Sequence, residues 1–399
     1  MRWSASLVLV VVAATGCGSG SDGPRLAVTP ATASVDVPFT LRGSGFPADR
    51  RAVVAFSGRA GGHVLRGSLT GRTDEHGRIA LGDRYLLARL KTTPGQLVVF
   101  PRRLTVSVTS GGVHAAAQAR RLPLDTSAVI TTDERLPHAG IYGEWIRPRD
   151  ARKRTAILMF GGSEGALSQG SLATTLAAHG YPVLHLAYFA EPGLPQSLLR
   201  IPLEYFEHAL HWLATQPEVD PRHIVTFGWS RGGEASLILA SLFPQLVSAA
   251  VAYVPSAYVY PAVVDPTAPA WTYRGRPYGG DPPPGGTWRF SVIPVERADG
   301  PLFLVGGDDD ELWPSGRFVR TVAARLRAHG RRHFVALTYP GAGHGIAEAI
   351  PPQIPISPKG YGLVDSNYGR LDLGGSPAAD EHALEQSWPK LLAFLARQR

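Results

Sequence analysis

The rhythm of apolar positions divides the chain in two. Between about Pro24 and Leu124 the apolar residues come in short alternating or β-rich runs: Arg25 to Val28, Phe39 to Arg42, Ala52 to Phe56, Leu97 to Phe100 and Leu104 to Thr109. Gly, Pro and Asp turns part them, a spacing that predicts an antiparallel, immunoglobulin-like β-sandwich over residues 25–125. From about Ala128 strand-like runs alternate with helical ones. The strands are expected at Thr155 to Phe160, Pro182 to Ala187, His223 to Phe227, Ala249 to Tyr253, Pro301 to Val305 and Phe334 to Tyr339. Helices are expected at Gln169 to His179, Pro202 to Gln216, Gly232 to Phe243, Ser315 to His329 and Glu381 to Gln398. Such alternation predicts a mostly parallel sheet with helices on both faces over residues 126–399, with its site at the carboxyl ends of the strands.

One turn in that second part carries chemistry. Gly228-Trp229-Ser230-Arg231-Gly232 stands between a strand and a helix. A serine in Gly-x-Ser-x-Gly can sit on a strained turn with its hydroxyl exposed above the sheet, because the flanking glycines remove side chains that would clash. Ser230 is therefore the candidate nucleophile. His344 follows the strand Phe334 to Tyr339 through the glycine-rich loop Tyr339 to Gly343 and is the candidate base. The acid is expected in the loop after Pro301 to Val305, where Asp308, Asp309 and Asp310 compete. Asp310 is preferred for its spacing from Gly307 and Pro314, and Asp309 is the runner-up. The order nucleophile, acid, histidine is that of α/β-hydrolases. Oxyanion donors are expected from the backbone of Arg231 and from the loop Gly161 to Gly165, with Ser163 and Glu164 both open. The segment Val254 to Trp288 is rich in Tyr, Trp and Pro and interrupts the alternation; Trp229, Tyr258, Tyr260, Trp271 and Tyr273 are expected to wall an acyl pocket.

Four motifs carry a wider resemblance: Gly228 to Glu234, Ile293-Pro294-Val295-Glu296, Gly307 to Asp310 with Leu312-Trp313-Pro314-Ser315, and Tyr339 to His344. With them the chain resembles the acyl-CoA thioesterase and bile acid-CoA:amino acid N-acyltransferase family, whose members join an N-terminal sandwich to an α/β-hydrolase domain. The resemblance places that family's nucleophile, acid and histidine on Ser230, Asp310 and His344. It also implies hydrolysis rather than transfer to an amine, since the family's amino acid-conjugating members carry cysteine at the nucleophile position.

Composition narrows the setting. Of 399 residues 44% are hydrophobic and 18% charged, which describes a folded protein. The net charge of +8 comes from scattered arginines, so nucleic acid is not an expected partner. Met1 to Cys17 has a basic Arg2, an apolar run from Trp3 to Ala14 and small residues before the only cysteine. It resembles a bacterial lipoprotein signal in which Cys17 takes the lipid, and residues 18–24 read as a flexible tether. An exported, membrane-anchored protein is expected, with a secreted one as the alternative. Acyl-CoA is an intracellular metabolite, so the leader argues against coenzyme A as the natural thiol. The expected partner is a small acyl ester or thioester, and no cofactor is expected. An exported carboxylesterase, a serine peptidase, an acyltransferase and an anchored binding protein remain alternatives. Glu204, Glu207, His208 and His211 share one predicted helix at near-helical spacing and are read as an amphipathic edge rather than a metal site. His63, His76 and His114 are read as surface or structural residues.

Overall fold

The computed structural model describes residues 23–34, 36–60, 63–82, 102–122, 124–134, 139–280, 290–349, 363–366 and 369–398. The signal with Cys17, the tether up to residue 22 and the strand expected over Leu97 to Phe100 lie outside the described residues.

The larger body is one eight-stranded sheet. Its strands in chain order are β1 (Val129–Glu134), β2 (Tyr142–Pro148), β3 (Arg154–Phe160), β4 (Val183–Ala187), β5 (Val219–Trp229), β6 (Ala249–Tyr253), β7 (Leu302–Gly307) and β8 (Phe334–Tyr339). Across the sheet they run β8, β7, β6, β5, β3, β4, β2, β1. From β3 to β8 all neighbours are parallel, and β2 is antiparallel to both β4 and β1. This is the strand order of an α/β-hydrolase fold, with the turn after β5 at the middle of the sheet.

Among the described residues five helices cover the two faces. On one side α2 (Leu203–Ala214), α3 (Arg231–Leu242) and α4 (Ser315–Ala328) bury Phe206, Leu210, Leu239 and Val319. On the other, α1 (Gly170–Ala178) and α5 (Pro377–Ala396) bury Leu172, Leu176, Trp388 and Leu391. Strands walled on both sides read as continuous apolar runs, which is why β3, β4 and β6 stand out in the sequence. Strands β1 and β2 do not: they lie at the sheet edge, and Thr131, Thr132, Asp133, Glu144 and Arg147 break their pattern.

Residues before β1 form two small sheets. Arg25–Thr29, Thr40–Ser44 and Ile79–Gly82 make one, and Thr32–Ser34, Val113–Leu122, Arg103–Ser110, Arg51–Ala60 and His63–Arg72 the other. All pairings are antiparallel except that of Thr32–Ser34 with Val113–Leu122. Phe39, Leu41, Val54, Phe56, Val106 and Val108 fill the space between them. Asp36 joins the two bodies: its buried Oδ2 accepts hydrogen bonds from His179 Nε2, at the end of α1, and from Trp388 Nε1 of α5 at 3.1 Å. Burial alone would raise the Asp36 carboxyl, but the bonds to His179, Ser34 and Trp388 hold it below the usual carboxylate range. Among the described residues no helix is long and apolar enough to cross a membrane.

Candidate active site

Ser230 sits at the tip of the turn between β5 and α3, with φ 54° and ψ −122°. A non-glycine residue there carries about 1–3 kcal/mol of backbone strain. Its surroundings hold it in place: Ser230 N–H donates to Tyr253 O at 2.9 Å, and Glu234 N–H to Ser230 O at 3.0 Å. The two flanking glycines are required by contact. A Cβ on Gly228 would stand 2.1 Å from Gly232 O, and one on Gly232 would stand 2.2 Å from Gly161 O.

Three of the residues singled out from the sequence meet here. His344 Nε2 lies 2.9 Å from Ser230 Oγ, and His344 Nδ1 lies 2.8 Å from Asp310 Oδ2. The other Asp310 oxygen accepts the N–H groups of Leu312 at 3.1 Å and Trp313 at 3.2 Å, which fixes the carboxylate's angle. With Asp310 accepting at Nδ1, the network assigns the proton to that nitrogen and leaves Nε2 to accept from the serine. The three side chains come from the carboxyl ends of β5, β7 and β8, and each is at most 8% exposed. The competing aspartates go elsewhere. Asp308 pairs with Arg320 at 2.5 Å, and Asp309 is exposed, joined through its backbone to Ala342 O and Gly375 N–H.

The loop after β3 reaches the same place. A Cβ on Gly162 would stand 2.9 Å from Ser230 Cβ, so backbone passes within contact of the nucleophile. Tyr188 Oη donates to the carbonyls of Gly161 at 3.0 Å and Gly162 at 2.9 Å. Glu164 is exposed but bends back along its own loop, and its Oε1 accepts the Gly162 N–H at 2.9 Å. Arg231 opens α3, so its N–H belongs to the first turn, whose donors have no partner within the helix.

Two of the expected pocket residues are corrected. Trp271 is fully buried against Tyr188 and Phe206, and its indole N–H donates to Glu234 Oε1 at 2.7 Å; it is a core residue. Trp229 is 2% exposed and its indole N–H donates to Glu164 Oε1 at 2.8 Å, so it supports the loop from below. Tyr258 packs on Phe318, and Tyr273 on Phe243. Tyr260 does approach the site: its ring is 5.3 Å from Trp313, which stands edge-on to His344 at 5.9 Å. Trp313 was legible only as part of a motif.

Two buried carboxylates had no role assigned from the sequence, where Glu234 stood only at the end of a motif. Glu234, fully buried, pairs through Oε2 with Arg231 Nη1 at 2.8 Å, while Oε1 also accepts the Tyr260 N–H at 3.1 Å. Arg231 Nη2 donates to the carbonyls of Tyr260 and Pro261, so this pair ties the segment after β6 to the helix that follows the nucleophile. Burial pushes the Glu234 carboxyl up to about 7 against the pull of Arg231. Asp380, in the first turn of α5, accepts the Gly343 N–H at 2.6 Å next to His344. Its Oδ2 is buried without a hydrogen-bond partner among the described residues. Burial pushes this carboxyl up to about 7, with Asp310 adding to the rise and the Gly343 N–H and His344 opposing it.

The remaining histidines and acids have ordinary surroundings. Glu204 accepts the Arg274 N–H, and His208 Nε2 lies 2.9 Å from Ala139 O. His114 bonds Thr109 at 3.0 Å and His76 is exposed, whereas the His63 side chain is outside the described residues. Among the described residues no group of three or more His, Cys, Asp or Glu is placed to hold a metal ion.

Parts of the chain are similar to known proteins. Residues 201–265 and 283–398, from the start of α2 to the end of α5, match the family described as BAAT / acyl-CoA thioester hydrolase C terminal. Human acyl-coenzyme A thioesterase 2, mitochondrial, is 33% identical over 253 residues, which cover 59% of this chain and 50% of that protein. Acyl-coenzyme A amino acid N-acyltransferase 1 of Mus musculus is 32% identical over 237 residues, covering 56% and 55%. The chain thus spans about half the length of these relatives. Among solved structures, Thermogutta terrifontis esterase 2 aligns over 68% of this chain and 96% of its own, at 14% identity and a TM-score of 0.40. Over the matched segments, the chain is similar to the family of acyl-CoA thioester hydrolases and amino acid N-acyltransferases.

Proposed function

We propose that the chain is a serine hydrolase that cleaves an acyl thioester or ester through an acyl-enzyme. The observation that carries this reading is the series Ser230 Oγ, His344, Asp310, linked at 2.9 and 2.8 Å. His344 Nε2 takes the Ser230 proton as Oγ bonds to the acyl carbon, and Asp310 stabilises the imidazolium that forms. Backbone N–H groups of Arg231 and of Ser163 or Glu164 hold the oxyanion. His344 then gives its proton to the departing thiol or alcohol. Water, deprotonated by the same nitrogen, releases the carboxylic acid and restores Ser230.

Similarity to thioesterases supports a thioester, and Ser230 in place of cysteine supports water as the acceptor. The leader favours a chain exported and lipid-anchored at Cys17, which sets it apart from intracellular acyl-CoA and favours an ester or thioester of another alcohol or thiol. A carboxylesterase, a peptidase or an amine-accepting transferase uses the same three residues. Assaying p-nitrophenyl esters, acyl thioesters and aminoacyl amides side by side, with Ser230→Ala as control, tests the reading. Turnover of esters or thioesters that disappears in the variant is expected; equal turnover in a folded Ser230→Ala chain contradicts it.

A further inference from the structure

Beside Ser230 stands a charge that this chemistry does not use. The Glu164 side chain folds back over its own loop, and Oε1 accepts three hydrogen bonds: from Gly162 N–H at 2.9 Å, Ser168 Oγ at 2.7 Å and Trp229 Nε1 at 2.8 Å. Three donors on one oxygen fix the carboxylate, because swinging out to solvent would break all of them. The second oxygen and the nucleophile both approach Gly162. The position a Cβ on Gly162 would take lies 2.7 Å from Glu164 Oε2 and 2.9 Å from Ser230 Cβ. Both atoms therefore crowd the Gly162 backbone from positions too close to admit a methyl there, which puts the carboxylate near the serine side chain. The guanidinium of Arg231, next in sequence to Ser230, is committed to Glu234 and to two carbonyls and is not turned to Glu164. On the His344 side the lining is aromatic, running from Trp313 to Tyr260 and on to Phe290, whose ring is 4.6 Å from that of Tyr260. Aromatic faces accept neutral chains and attract cations, and offer a carboxylate nothing.

We propose that Glu164 is a specificity-determining residue, a fixed negative charge by which this site favours acyl groups carrying an ammonium and rejects acyl groups carrying a carboxylate. The proposal rests on the serine hydrolase reading and names its acyl class. Both halves follow from one field. An acyl chain bonded to Ser230 begins beside Oε2, so a cation on that chain is drawn to it and an anion repelled. Charges a few ångströms apart at a partly exposed site shift rates by about 10- to 100-fold, less at high salt.

The test uses full-length protein in detergent and three p-nitrophenyl esters of matched shape: 4-trimethylammoniobutanoyl, 5,5-dimethylhexanoyl and glutaryl, with spontaneous hydrolysis subtracted. At low salt kcat/KM is expected to fall from cation to neutral to anion, with roughly 30-fold or more between the extremes. Glu164→Gln keeps an acceptor for the three donors and removes the charge, and is expected to shrink that ratio to within about 3-fold. In the unaltered protein, about 1 M salt is expected to compress the ratio without any substitution. A cation-to-anion ratio near one in the unaltered protein, or one unmoved by both Glu164→Gln and salt, overturns the proposal while leaving Ser230 hydrolysis intact. Failure of a neutral phosphonate to label Ser230 overturns both.

Discussion

The two bodies of this protein treat their buried polar groups differently. In the N-terminal sandwich, apart from Asp36 at the junction, such groups bond to backbone: Thr73 Oγ1 to Pro47 O at 2.7 Å, Ser110 Oγ to Arg51 O at 3.0 Å and Arg121 Nη1 to Val37 O at 3.0 Å. In the larger body Arg231, Glu234, Asp310, His344 and Asp380 are all buried, and most of them bond to one another or around the same turn. A polar side chain that satisfies a carbonyl closes a turn and asks for nothing else. Buried charges gathered at the ends of β5, β7 and β8 carry a desolvation cost that packing alone does not explain. Their concentration is what marks the chemistry.

Substitutions break this contrast in a defined order. His344→Ala removes the base and is expected to lower kcat/KM for an activated ester by about 10⁴-fold or more with the fold retained, as measured by steady-state rates and circular dichroism. Asp310→Asn should lose about 10³- to 10⁴-fold because the tautomer of His344 is no longer fixed, whereas Asp309→Asn should stay within about 3-fold. An equal loss in both would remove the assignment of roles within the aspartate loop.

Asp380 sharpens the comparison through pH. Burial pushes its folded carboxyl up to about 7 against an ordinary value of 3.8. Below the unfolded value both states hold the proton and nothing is lost. As pH rises from there through the folded value, the unfolded chain releases a proton that the folded one keeps, so stability falls. Asp380→Asn keeps an acceptor for Gly343 N–H and cannot ionise. It should gain on the unaltered protein from pH 4 upward, by at most about 4 kcal/mol at pH 8, in denaturant unfolding followed across pH. A constant difference at every pH would show that this carboxyl is not raised. The smallest effect on rate belongs to the sandwich. Leu41→Ala should cost about 2–5 kcal/mol of that body's stability and leave kcat/KM within about 2-fold.

Much of the fold was readable because the central strands are walled on both faces. The expected bounds of β6 and β8, Ala249 to Tyr253 and Phe334 to Tyr339, coincide with those in the structure. Ser230, Asp310 and His344 were findable because strand ends, glycines and chain order constrain where such residues can stand. Glu234, Asp380 and the carboxylate of Glu164 were hidden for one shared reason. Each acts through a partner distant in the chain: Trp271 37 residues from Glu234, Gly343 37 from Asp380, and Trp229 65 from Glu164. Aromatic content alone misled at Trp271 and Trp229, since a tryptophan whose indole N–H meets a buried carboxylate packs inward. Nothing in the sequence records which carboxylate that will be.

The central claim is that Ser230 is the nucleophile, and covalent labelling tests it without knowledge of the substrate. Full-length protein treated with a fluorophosphonate should gain one adduct by intact mass, mapped by peptide sequencing to Ser230. The adduct should be absent from Ser230→Ala and strongly slowed in His344→Ala. Labelling that persists in Ser230→Ala, or maps to another residue, would contradict the account.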